Sequence, residues 1–128
     1  MTARVVHTAT ETDTETVLAT EVAFADSILS KTKGLMFRKS VPDEYALVME
    51  MGTNLLGRPS RQAVHMLFVR FPIDVIWLVE DEVTHIKTLK PWRGSGAARA
   101  DRIIELPAGS ADGVSVGDTV RVEREQVE

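Results

Sequence analysis

Two residues of this 128-residue chain stand where their chemistry is out of place. Asp74 interrupts the apolar run Ile73-Asp74-Val75-Ile76-Trp77-Leu78-Val79, and His65 interrupts Ala63-Val64-His65-Met66-Leu67-Phe68-Val69. A carboxylate on an apolar strand is costly unless it is paired or hydrogen-bonded. Imidazole near neutral pH serves as acid, base or metal ligand. Asp74 therefore has two readings. It is a structural carboxylate that accepts backbone N–H bonds or pairs with an arginine, or it lines a pocket as ligand acceptor or general base. His65 is a candidate acid/base in one reading and a hydrogen-bonded core or rim histidine in the other. Arg38, Arg58, Arg61, Arg70 and Arg93 all fall in or beside expected loops. If several converge, their forked guanidinium groups suit a carboxylate, phosphate or sugar-acid ligand; otherwise they are a solvated surface. Arg38 is the expected partner of Asp74, because the glycine turn before it brings it over the sheet. Trp92 would wall the pocket or plug a sheet edge. The candidate catalytic residues are thus His65 and Asp74, and the candidate ligand-binding set is Arg38, Arg70, Asp74, Trp92 and Arg93.

Other chemistries find no footing. Without cysteine there is no thiol catalysis, disulfide or thiolate metal site. His7, His65 and His85 have no recognisable ligand spacing, so neither metal nor cofactor is expected. There is no glycine-rich phosphate loop, nucleophile elbow or His-Glu-x-x-His motif. Ser60, Ser95 and Ser110 lack a convincing local base. Met36, Met49, Met51 and Met66 read as core fillers. The apolar fraction of 44% and charged fraction of 27% are those of an ordinary globular protein. A net charge of -4 argues against non-specific nucleic-acid binding. The N-terminus lacks the apolar core of a signal peptide. The longest apolar run, Val75 to Val79, is far short of the roughly 20 residues that span a bilayer. A soluble cytoplasmic protein with no nucleic-acid or membrane partner is the expectation.

The elements that must position these residues are mostly strands. Ile73, Val75, Trp77 and Val79 share one face and Asp74, Ile76 and Leu78 the other, which predicts a strand covered on both sides. Further strands are expected at Arg4–His7, Val17–Phe24, Ala46–Met51, Ala63–Val69 (joined to the Ile73 strand across Arg70, Phe71 and Pro72), Val83–Leu89, Arg102–Leu106 and Thr119–Arg124. Ala9 to Glu15 reads as a mobile acidic hairpin tip or loop. Asp26 caps a short helix, Ser27–Lys33, that Gly34 stops. Gly52–Arg61 and Arg93–Ala100 read as loops, Glu80-Asp81-Glu82 as a hairpin turn and Gly117-Asp118 as turn chemistry. The sum is a mostly β, single-domain β-sandwich or barrel with one short helix, covering residues 1–128, with 1–16 partly flexible and 125–128 a charged tail.

Four segments together resemble the family called domain of unknown function 192. They are Gly34-Leu35-Met36-Phe37-Arg38, then His65 with Arg70-Phe71-Pro72-Ile73-Asp74-Val75, then Pro91-Trp92-Arg93, and last Glu105-Leu106-Pro107-Ala108-Gly109 with Gly117-Asp118. Their order spans roughly Val17 to Val122. The resemblance implies a compact sandwich or barrel of jelly-roll type and no established activity. It is to the branch with His-x4-Arg-Phe-Pro-Ile-Asp, whereas the commoner branch carries a Trp-Met-Lys-Asn-Thr-like run. His65 to Val69 is mostly apolar here, so no role of that polar run transfers. The leading expectation is a binder of a small polar or anionic ligand near Arg38, Asp74 and Trp92. The alternatives are a small enzyme using His65 or Asp74 as acid/base, and a structural or protein-interaction adaptor. Whether the protein is an enzyme is open at this point.

Overall fold

Ten strands organise the chain. The computed structural model describes residues 2–25 and 34–125. The strands are β1 (Thr2–Ala9), β2 (Thr14–Ala19), β3 (Glu21–Phe24), β4 (Tyr45–Glu50), β5 (Arg61–His65), β6 (Ile73–Val79), β7 (Glu82–Leu89), β8 (Ser95–Arg99), β9 (Arg102–Pro107) and β10 (Thr119–Glu125). Eight form one sheet in the order β2-β1-β10-β7-β6-β9-β4-β3, and β5 and β8 form a separate two-stranded ribbon. No helix occurs among the described residues; the expected helix Ser27–Lys33 and its cap Asp26 lie outside them.

The apolar alternation of β6 has the expected consequence. The strand is buried on both faces from Ile73 to Leu78 and flanked by β7 and β9. Ile73, Val75 and Trp77 face one core with Leu47, Met49, Ile103, Met66 and Val64, closed on the outside by the ribbon and by Leu35. Ile76 and Leu78 face a second core with Ala46, Val48, Ile104 and Leu106. The β2-β1-β10 wing closes that second core with Val5, Ala19 and Val120. It folds over because β10 and β7 share a single ladder pair, Thr119 with Glu82. Since β2 and β3 do not pair, the sheet is not closed into a barrel and the architecture is sandwich-like.

Three local expectations are corrected. The strand expected from Ala63 to Val69 ends at His65. The single strand Val17–Phe24 breaks at Thr20, where the N–H groups of Thr20 and Glu21 both donate to the Glu44 carbonyl, at 3.0 and 2.9 Å. The chain thereby leaves β1 and joins β4 in parallel. The acidic segment after His7 forms the tip of the β1–β2 hairpin, one of the two forms expected of it, and Thr10 N donates to Asp118 Oδ1 (3.1 Å) and Thr10 Oγ1 to the Gly117 carbonyl (3.0 Å). Asp118 also takes the Ser115 N–H (2.9 Å) and pairs with buried His7 (2.8 Å). These partners, His7 first, hold its carboxyl down at about 2. Finally, the small residues after Arg93 form β8.

Small residues are what β8 needs. Trp77 is fully buried, donates its indole N–H to the Gln62 carbonyl (2.9 Å), and lies under the ribbon. A Cβ on Gly96 would stand 2.8 Å from its ring. Gly96→Ala should therefore cost about 1–3 kcal/mol through overpacking. A melt together with the near-ultraviolet dichroism of Trp77 checks this, and an unchanged midpoint would refute it.

Candidate functional site

The concave site of the described residues is not centred on Asp74. A cavity of about 360 Å³ opens between the large sheet and its outer cover, within the size range of small-molecule sites. The sheet supplies Met49, Ile73, Ile103 and Glu105; β5 supplies Gln62 to His65; and Gly34, Leu35 and Met36 close the opposite side. Most of the lining is apolar, with three adaptable methionines, Met36, Met49 and Met51.

Glu105 is the exception. It is buried, and its Oε1 has no hydrogen-bond partner among the described residues. Burial alone pushes its carboxyl up to about 7. Gly34 allows the cover to come this close: its φ is +50°, and a Cβ there would lie 3.3 Å from Glu105 Oε1. A second polar atom is stranded nearby, the hydroxyl of buried Tyr45. Burial raises the Tyr45 pKa, the guanidinium of Arg38 opposes the rise, and Glu105 adds to it. Arg38 lies over the Tyr45 ring, 5.2 Å from its centroid, as a cation–π pair.

The register explains why the two interior acids part company. In the β6–β9 ladder Asp74 lies opposite Leu106 and Val75 opposite Glu105. Asp74 therefore faces the second core, and Glu105 the first, on the opposite side of the sheet. Asp74 is buried and fully occupied: it accepts the Thr88 hydroxyl (2.6 Å) and the N–H groups of Gly109 and Ala111 (both 3.0 Å). This corrects the expected Arg38–Asp74 pair, because hydroxyl and amide donors do the work assigned to the guanidinium. Asp74 ties the 109–111 turn to the sheet and does not reach the cavity.

Of the other sequence candidates, His65 lines the cavity at its exposed rim. Its Nδ1 accepts the Leu67 N–H at 3.3 Å, which leaves the proton of the neutral ring on Nε2. Arg38, Arg70, Trp92 and Arg93 are exposed and none lines the cavity. Among the described residues no three His, Asp or Glu side chains converge as a metal ion requires. No helix among them is long and apolar enough to cross a membrane. Sequence reasoning passed over Glu105 as a functional residue, although the signal was the one that singled out Asp74: a lone acid in an apolar strand, Ile103-Ile104-Glu105-Leu106.

An open β-sandwich with one buried acid facing a small cavity defines the class of protein by its geometry. The chain belongs to the DUF192 family, described as "Uncharacterized ACR, COG1430", whose model matches residues 8–122. It is 40% identical over 98 residues to a UPF0127 protein of Pyrococcus furiosus, covering 75% of this chain and 79% of that one. To a UPF0127 protein of Pyrococcus horikoshii it is 37% identical over 105 residues, covering 79% and 86%. Among solved structures, a protein of unknown function from Novosphingobium aromaticivorans superposes with a TM-score of 0.74 at 25% identity, over 92% of this chain and 83% of that one. A putative transcription regulator from Sinorhizobium meliloti superposes at 0.78 with 19% identity, over 95% and 94%, a likeness of fold alone.

Proposed function

We propose that the protein binds a small molecule in the Glu105 cavity, one with an apolar body and a hydrogen-bond donor such as an amine or hydroxyl. The observation that carries this reading is the buried carboxyl oxygen of Glu105, left without a partner among the described residues at the wall of an apolar cavity. A buried polar group without a partner costs free energy that a donor from a ligand would recover. Among the described residues the cavity lining contains no arginine or lysine, and an anion would meet Glu105 as a like charge. Of the polar or anionic ligands anticipated from the sequence, the polar class is therefore the one supported.

A thermal-shift screen that pits apolar amines and alcohols against anionic metabolites tests this. At tenfold over its Kd a ligand stabilises the fold by about 1.4 kcal/mol, roughly 4–6 °C for a chain of this size. Shifts with donors, reduced in Glu105→Ala, support the reading. Shifts confined to anions would overturn it. A carboxyl that titrates near 7 also suits acid–base chemistry. This second reading makes Glu105, with His65 at the rim, the proton-handling group in place of Asp74.

A further inference from the structure

The net charge of -4 conceals a segregation of charge along the β6–β7 pair. At the end where β6 begins and β7 finishes, Ile73 lies opposite Leu89. Three connecting stretches meet there: Phe37 N donates to the Phe68 carbonyl (3.0 Å), and Trp92 N to the Val69 carbonyl (3.1 Å). These stretches carry Arg38, Lys39, Arg70, Lys90 and Arg93, all exposed and none in a salt bridge with a described residue. Residues 34–42, 66–73 and 87–99 contain no acid at all. Asp43 flanks the area, and Asp74 is buried with its oxygens occupied. At the opposite end, about 20 Å away along β6, Glu80, Asp81 and Glu82 crowd the β6–β7 turn. Asp101 joins them by accepting the Glu80 N–H at 2.9 Å.

The basic end is also the aromatic end. Phe37, Phe68 and Trp92 are 58, 38 and 49% exposed, and Leu67 beside them is 51% exposed. Phe37 stacks on Phe68 (centroids 5.1 Å apart, 24° between planes), and Trp92 meets Phe68 edge-on at 5.5 Å. All three aromatics have left-handed backbone, with φ of 68, 63 and 67°, a conformation unfavourable for bulky residues. Each lies in a tight bend and projects outward.

We infer that this end docks on an anionic lipid bilayer, with Phe37, Leu67, Phe68 and Trp92 entering the interface and the five cations meeting the headgroups. Charge complementarity selects a polyanion, and the protein's own dipole would turn the aromatic end toward it. The form of the apolar cluster selects lipid over single-stranded nucleic acid. The rings are packed on one another, with an exposed aliphatic leucine next in sequence, instead of being splayed as separate platforms for bases, and tryptophan and basic residues together are the composition of a membrane interface. This inference does not depend on the cavity reading.

Flotation with phosphatidylserine-rich vesicles, pure phosphatidylcholine vesicles and an oligothymidylate as the nucleic-acid arm tests it. Binding is expected to the anionic vesicles, with a blue shift of Trp92 emission while buried Trp77 stays unchanged. Phe37→Gly/Phe68→Gly should lower vesicle affinity about tenfold, as should Arg70→Glu/Arg93→Glu. Glycine accepts the left-handed backbone, so the first variant should keep its dichroism and melting curve. Equal binding to both vesicle types, no vesicle binding, or binding of the oligonucleotide in its place would each overturn the inference. So would full vesicle affinity in the folded glycine variant.

Discussion

Asp74→Ala should lose about 2–4 kcal/mol of stability, read as a lower urea midpoint at unchanged slope. The magnitude follows from what the carboxylate leaves behind. Without it the buried N–H of Ala111 loses its acceptor where water cannot easily replace it, and the more exposed N–H of Gly109 and hydroxyl of Thr88 lose theirs as well. Orphaned buried donors each cost about 1–3 kcal/mol. Thr88→Val removes one donor and keeps the volume, so it should cost only about 1 kcal/mol. The contrast separates a bracket of several bonds from a single contact, and an Asp74→Ala protein as stable as Thr88→Val would refute it. Ligand affinity of the folded fraction should be unchanged in both variants, because Asp74 faces away from the cavity.

Glu105→Gln should have the opposite sign, and its size should depend on pH. A folded carboxyl at about 7 against an ordinary value of 4.5 means that the native state holds more proton than the unfolded chain between those values. Stability conferred by the protonated form is complete below about 4.5 and is lost as pH rises through about 7. The loss amounts to about 3 kcal/mol. Glutamine carries no such titration. The variant should match the wild type at pH 4 and exceed it by about 3 kcal/mol at pH 8, measured by urea unfolding at both values. A difference independent of pH would exclude burial of a titrating carboxyl as the cause. A native residue that weakens its own fold at neutral pH is the pattern expected where function sets the requirement.

An amine ligand supplies a further readout on the same residue. Its cation favours the ionised carboxylate, so binding should release a proton and tighten as pH rises through about 7. The stability effect and the binding effect of Glu105 therefore run in opposite directions with pH. A purely structural acid would produce the first without the second.

Local pattern and turn chemistry made much of this protein legible. Alternation in Ile73–Val79 determined a strand buried on both faces, and the Glu80-Asp81 turn and the runs after it determined its β7 partner. The lone carboxylate at Asp74 determined that something must satisfy it, and the four family segments determined the family. Each of these depends on residues a few positions apart, where covalent geometry already dictates which side chains share a face. What only the tertiary structure decided depends on pairings between distant segments. The β6–β9 register places Glu105 beside Val75 rather than Asp74, so the cavity belongs to the acid that attracted less notice. The same long-range pairing turned Gly96 and its small neighbours from an apparent loop into the strand that covers Trp77. It also gathered cations from three separate stretches at one end of a molecule whose overall charge is negative. The physical reason is common to all three: a strand fixes its own two faces, but its neighbours, and their offset by a single residue, decide what each face meets.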